Sequence, residues 1–140
     1  MRSGGILLHP LAALEAPTLA DFEALAGEAY RRLPQTFRAL CGDLVIRVED
    51  FPDDDILREM DAESEFDLLG LFQGTGLAQA ESVRAGLPNM VFLYRRPILD
   101  YWAEHSETLG AIVSHVLIHE IGHHFGLSDA DMEAIEEQAG

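Results

Sequence analysis

The sequence predicts an α+β domain in which a small mixed β-sheet is backed by helices. Three observations predict it. Hydrophobic periods of helix and strand alternate irregularly along the chain, in the order helix, strand, helix, strand, strand, helix, helix, helix. Hydrophobic residues make up 48% and charged residues 24% of 140 residues, which gives one globular domain enough apolar side chains for a real core. Cys41 is the one cysteine, so a disulfide framework and a cysteine-based zinc site are both excluded.

The elements follow in order. Residues 1–16 read as a loose N-terminal arm. Thr18 and Asp21 have capping-box spacing, with Asp in place of Glu. Leu19, Phe22, Leu25, Ala26, Ala29 and Leu33 then recur at helical spacing, and Pro34 ends the helix. Gln35–Leu40 forms a short helical turn stopped by Gly42. From Leu44, apolar Leu44, Ile46 and Val48 alternate with Val45, Arg47 and Glu49, as in a half-buried strand. Pro52 breaks it, and Asp53 or Asp54 caps a short helix through Met60. The acidic run Asp61–Asp67 is a solvated loop. "LLGLFQG" at 68–74 is a strand or extended edge, followed by a Gly- and polar-rich loop to Pro88. "NMVFLY" at 89–94 is a buried strand. Pro97 suits the first turn of a helix through about Glu104. Ser106 is the expected N-cap of a longer helix, with Glu107 in its first turn, running to Phe125. Gly126 stops that helix, and Ser128 with Asp131 starts a last one carrying Met132, Ile135 and polar Glu133, Glu136 and Glu137.

Charge and composition narrow the function. Twenty-five acidic residues against nine basic ones give a net charge of -16, a field that repels a phosphate backbone. Nucleic acid is therefore not an expected partner. The N-terminal apolar run Ile6-Leu7-Leu8 is shorter than a secretory signal or a membrane helix needs, so the expectation is a cytoplasmic protein with no membrane partner. Cys41 has no activating cation beside it and reads as a small apolar residue at a helix end.

The chemistry is concentrated in "HEIGHHFGLSD", His119 to Asp129. Four residues apart on a helix, His119 and His123 lie about 40° apart on one face, so both imidazoles can reach one ion. Zinc accepts such nitrogen ligands, and a catalytic site adds a third protein ligand. Glu120 lies about 60° from His123 on the helical wheel. That sets it beside a water held on the ion, where a general base belongs. Gly126 ends the helix cheaply, and Asp129, three residues on, is placed to swing under the ion as the third ligand. Asp129 also starts a helix, where an acid is favourable in any case; if it only caps, water or Glu133 completes the site. Ser128 is available as the cap. The bland reading of His119 and His123 is a pair of core histidines. Gly122, inside the helix, marks either a close approach by another element or simple tolerance.

The stretch resembles the zincin metallopeptidases, and its glycine turn resembles the metzincin branch, which usually carries a third histidine where this chain has Asp129. "DLLGLFQG", "LYRRPILDYW" and "VLIHEIGHHFGLSDADME" are similar to small bacterial zincin-like proteins, the minimal zincins, over roughly residues 44–137. The resemblance implies an active-site helix, a backing helix and a small mixed sheet. It makes His119, His123 and Asp129 ligands of one Zn2+ and Glu120 the catalytic base. No metzincin Met-turn follows; Met132 comes too soon after the motif and looks like a core contact.

Other residues are weaker candidates. His115, one turn before His119, is a packed helix histidine or a partner of the metal ligands. His124 points about 100° from His123, toward the next helix or a substrate. Tyr94 and Tyr101 are possible oxyanion donors, and Arg95 and Arg96 are a solvated pair or a carboxylate site. The function expected is a zinc-dependent, peptidase-like hydrolase acting on a peptide or protein. The strand near 68–74 is the expected edge along which the substrate lies by β-augmentation. A metal-stabilised binding or regulatory module without turnover is the alternative. A metal-dependent ribonuclease with H-x-x-x-H and a later histidine fits less well, given Glu120, Asp129 and the charge.

Overall fold

The computed structural model describes residues 7–74 and 88–139. Residues 1–6 of the expected arm, and nearly all of the Gly-rich loop before Pro88, lie outside them. Residues 7–16 include one 3-10 turn, Pro10–Ala13, with Leu7, Leu8, Leu11 and Leu14 exposed.

Helix α1 (Leu19–Arg31) begins with the expected box: the Asp21 amide donates to Thr18 Oγ1 at 3.1 Å and the Thr18 amide to Asp21 Oδ2 at 2.9 Å. Aspartate reaches back as glutamate would. Helix α2 (Gln35–Cys41) follows Pro34 and stops at Gly42, whose φ of 61° suits glycine. Cys41 ends α2 fully buried, as a small apolar residue does. Next come β1 (Leu44–Glu49) and α3 (Asp54–Glu59), the latter capped by Asp53 through the Ile56 amide at 2.9 Å. β2 (Gly70–Gln73), β3 (Asn89–Tyr94), α4 (Arg95–Glu104), α5 (Leu109–His124) and α6 (Asp129–Ala139) complete the chain.

The sheet is mixed, in the order β1-β3-β2, with β1 parallel and β2 antiparallel to β3. Gly70 faces Leu93, and Phe72 faces Val91, across the β2–β3 ladder. Leu93, Phe72 and Val91 share the core with Leu44, Ile46 and Val48 of β1. Successive residues point to opposite faces, so Leu71, Gln73 and Phe92 lie on the other side. Among the described residues β2 is an edge strand.

Helix α5 lies at the centre. Ile112, Val113, Val116, Leu117, Ile118 and Ile121 are buried, so the helix is apolar almost all round, as a core helix must be. It packs against α1, α4, α6, β2 and β3. Each such side chain contributes roughly 1.5–3 kcal/mol by leaving water.

The start of α5 differs from the expectation. Thr108, not Ser106, is the N-cap: its Oγ1 accepts from the Ala111 amide at 3.1 Å, and its backbone is extended (φ -74°, ψ 152°) as a cap requires. Glu107 therefore sits before the helix, where it accepts a 3.4 Å hydrogen bond from the Tyr101 hydroxyl. The helix ends at His124 rather than Phe125. Gly126, at φ 77°, donates to the His123 carbonyl, and Leu127 donates to the Gly122 carbonyl at 2.9 Å. This paired closure satisfies the last carbonyls and reverses the chain. No described helix is long and apolar enough to cross a membrane.

Candidate metal centre

Helix α6 returns along α5, and two contacts fix how. An added Cβ on Gly122 would meet Met132 Sδ at 2.5 Å. Only glycine admits this contact, so the close approach, not simple tolerance, explains the residue. Met132 is fully buried, a core contact as its position in the sequence suggested. One helical turn further along α6, Glu136 meets the histidines of α5. Its Oε1 lies 2.9 Å from His119 Nε2 and 2.8 Å from His115 Nδ1. The His115 and His119 rings stack with centroids 3.9 Å apart.

His115, His119 and Glu136 are the group of described residues whose ligand atoms all lie within 4.8 Å of one another. His123 stands one turn beyond His119, exposed, with ring centroids 5.6 Å apart and planes at 79°. Asp129 is the first residue of α6 and is exposed. It is not gathered into the close group. Capping there is done by its neighbours: the Asp131 amide donates to Ser128 Oγ at 3.1 Å, and the Ser128 amide to Asp131 Oδ2 at 3.2 Å. Asp129 takes no part in that box. Glu133 is exposed on the same helix.

The donor chemistry suits zinc. Two imidazole nitrogens and a carboxylate oxygen are the ligand types of catalytic zinc sites. Tetrahedral zinc with bonds of about 2.0–2.1 Å holds its ligands roughly 3.4 Å apart, so the two carboxylate–imidazole separations of 2.8 and 2.9 Å would each open by about half an ångström.

Glu120 occupies a different side of α5, against β2. An added Cβ on Gly70 would lie 3.4 Å from Glu120 Cγ and 2.7 Å from Val116 Cγ1, so a side chain at Gly70 would push helix and strand apart. Burial raises the Glu120 carboxyl from its ordinary value to about 7. A bound cation nearby would pull it down again.

The remaining candidates fall away from the cluster or have structural partners. His124 packs on Phe72 of β2 with centroids 4.1 Å apart, and burial lowers its pKa. Its Nε2 is buried with no hydrogen-bond partner among the described residues. Arg95 pairs with Asp50 at 2.7 Å and donates to the Pro17 carbonyl at 2.7 Å, a tie between chain segments. Arg96 lies over the Phe51 ring at 5.5 Å. Tyr101 stacks on His105 as well as bonding Glu107. Tyr94 is buried, and its phenol is pushed up to about 12 by burial, then by Glu49, Asp53 and Glu120.

Glu136 was missed by sequence reasoning, which saw it only as polar. One signal was there: Glu136 follows Met132 by four residues, so it shares the face that returns to α5.

A helix carrying imidazoles and carboxylates, set against an edge strand of a small mixed sheet, defines an α+β protein with a candidate metal centre. The family model described as "Zincin-like metallopeptidase" matches residues 41–139, and the chain belongs to that family. No curated protein matches the chain.

Proposed function

We propose that the protein is a zinc-dependent peptidase with Glu120 as its general base. The observation that carries this is Glu120 itself. It follows His119 directly on the helix that bears His119 and His123, and it packs against the edge strand β2. A carboxylate beside a metal ligand and next to a substrate edge is where a general base for a metal-held water belongs. Zinc supplies a Lewis acid that brings water toward neutral pKa and stabilises an oxyanion.

His119 and His123 hold the ion through their ring nitrogens. Asp129 is the third ligand in this reading, supported by the Ser128–Asp131 box that leaves its carboxylate out of capping. Glu120 takes a proton from water as that water attacks the peptide carbonyl. It then returns the proton to the departing amine. An extended substrate pairs with the outer edge of β2, its backbone hydrogen bonds setting the scissile bond beside Glu120. Peptides and proteins are the substrates, in the cytoplasm.

The test compares zinc content and peptide hydrolysis in wild type and Glu120→Gln. The expected outcome is equal zinc and a loss of hydrolysis in the variant of at least about 100-fold. Loss of zinc from the variant would make Glu120 a ligand or folding residue. Peptide bound by zinc-loaded wild type but unchanged after long incubation would replace the peptidase by a metal-stabilised binding module.

A further inference from the structure

Glu136 engages the nitrogen that His119 would offer to an ion. Its Oε1 is 2.9 Å from His119 Nε2 and 2.8 Å from His115 Nδ1. One carboxylate oxygen thus faces two imidazoles at near-ligand spacing, and the group joins two helices, α5 and α6. The glutamate is about two-thirds covered, with 33% of its side chain exposed, and His119 is more covered still at 23%. A cavity of about 300 Å³ opens beside them, lined in part by Arg32, Ser114, His115, Ile118 and Glu136. It leaves room for a water as fourth ligand.

We propose that His115, His119 and Glu136 form a second divalent transition-metal site on α5, one that shares His119 with the His119–His123 site. It rests on the proposed function only in that sharing, since the three residues make a ligand set without it. Neutral His119 Nε2 has one lone pair, so it can serve one ion at a time. The two positions therefore exclude each other. An ion held by His115 and Glu136 takes His119 away from His123. The metal retained there lies about one helical turn from the position next to His123. Divalent zinc or cobalt fits, because two imidazoles with one carboxylate suit borderline cations better than calcium or magnesium. A purely structural role would instead make Glu136 a carboxylate that pins α6 to α5 by hydrogen bonds.

The test is Co2+ binding to the full chain. It is followed by visible absorption and by stoichiometry, with Zn2+ affinity from chelator competition, at matched folding by circular dichroism. The variants are His123→Ala, His115→Ala, Glu136→Gln and the double variant His115→Ala/His123→Ala. His115 is 53% exposed, so its replacement spares the core if Glu136→Gln loosens α6. The expected result is one ion bound by His123→Ala and one by His115→Ala, with different cobalt spectra, and none by the double variant. Loss of all metal in His123→Ala, with His115→Ala and Glu136→Gln matching wild type, would overturn the second site and leave the proposed function standing. Metal lost in His115→Ala and Glu136→Gln but kept in His123→Ala would uphold the site and remove the His119–His123 ligand pair from the proposed function. No metal bound by wild type would overturn both.

Discussion

At the scale of single residues, Glu120 has a cost that shows in the metal-free protein. Its carboxyl is raised from 4.5 to about 7 by burial. An unfolded chain releases this proton near pH 4.5, whereas the folded chain keeps it until about pH 7. Between those values the folded state binds more protons, so stability falls as pH rises. The stabilising contribution is complete below pH 4.5 and lost as pH passes 7. Its size is about 2 kcal/mol, allowing for the water that still reaches the group. Urea unfolding of chelator-stripped protein from pH 4.5 to 7.5 should show this decline. Glu120→Gln, neutral throughout, should remove that part of it. The same slope in both proteins would mean that the carboxyl is solvated and ionises freely when folded. The neighbouring Gly70 and Gly122 explain how such a residue is kept close to its surroundings: a side chain at Gly70 would collide with Val116 and the Phe92 backbone of β3, and one at Gly122 with Met132.

At the scale of elements, the caps show what a sequence encodes locally and what it leaves to packing. The Thr18–Asp21 and Ser128–Asp131 boxes, the Gly42 and Gly126 stops and the alternation of β1 were legible because each depends on residues within a few positions. The start of α5 was not. Ser106 and Thr108 are both good caps, and the choice falls to the register in which Ile112 and Val113 meet the core. Thr108→Ala should lower the unfolding free energy by about 1 kcal/mol, seen as a lower urea midpoint with unchanged slope. Ser106→Ala should change it by less than about 0.5 kcal/mol. The reverse order of effects would restore Ser106 as the cap. The candidate site divides in the same way. The pair His119 and His123 follows from helical spacing alone, but Glu136 reaches His115 and His119 from another helix, 17 residues beyond His119. No local period reports a contact that depends on how α6 folds back over Gly122.

At the scale of the whole molecule, α5 couples the candidate metal centre to the fold. It touches α1, α4, α6, β2 and β3, and its imidazoles sit where α6 closes over it. An ion held by side chains of both α5 and α6 would favour the folded chain, because unfolding takes Glu136 away from the histidines. Mass action converts that difference into stability: about 2.7 kcal/mol when free zinc is 100 times its dissociation constant. For a domain of 140 residues this corresponds to a rise in Tm of roughly 10 °C. The net charge of -16 acts in the same direction, because a divalent cation relieves part of the repulsion among the 25 acidic residues. The two contributions separate with magnesium. Magnesium shares the charge but avoids imidazole, so it should reproduce only the small, salt-like part of the shift. Scanning calorimetry with chelator, with magnesium and with zinc at pH 7.5 is the measurement. A zinc shift well above the magnesium shift, lost in His119→Ala, is the expected outcome, since His119 belongs to both ligand sets. Equal shifts with the two cations, or a zinc shift that survives His119→Ala, would mean that the ion stabilises through surface carboxylates and that the histidines of α5 hold no metal.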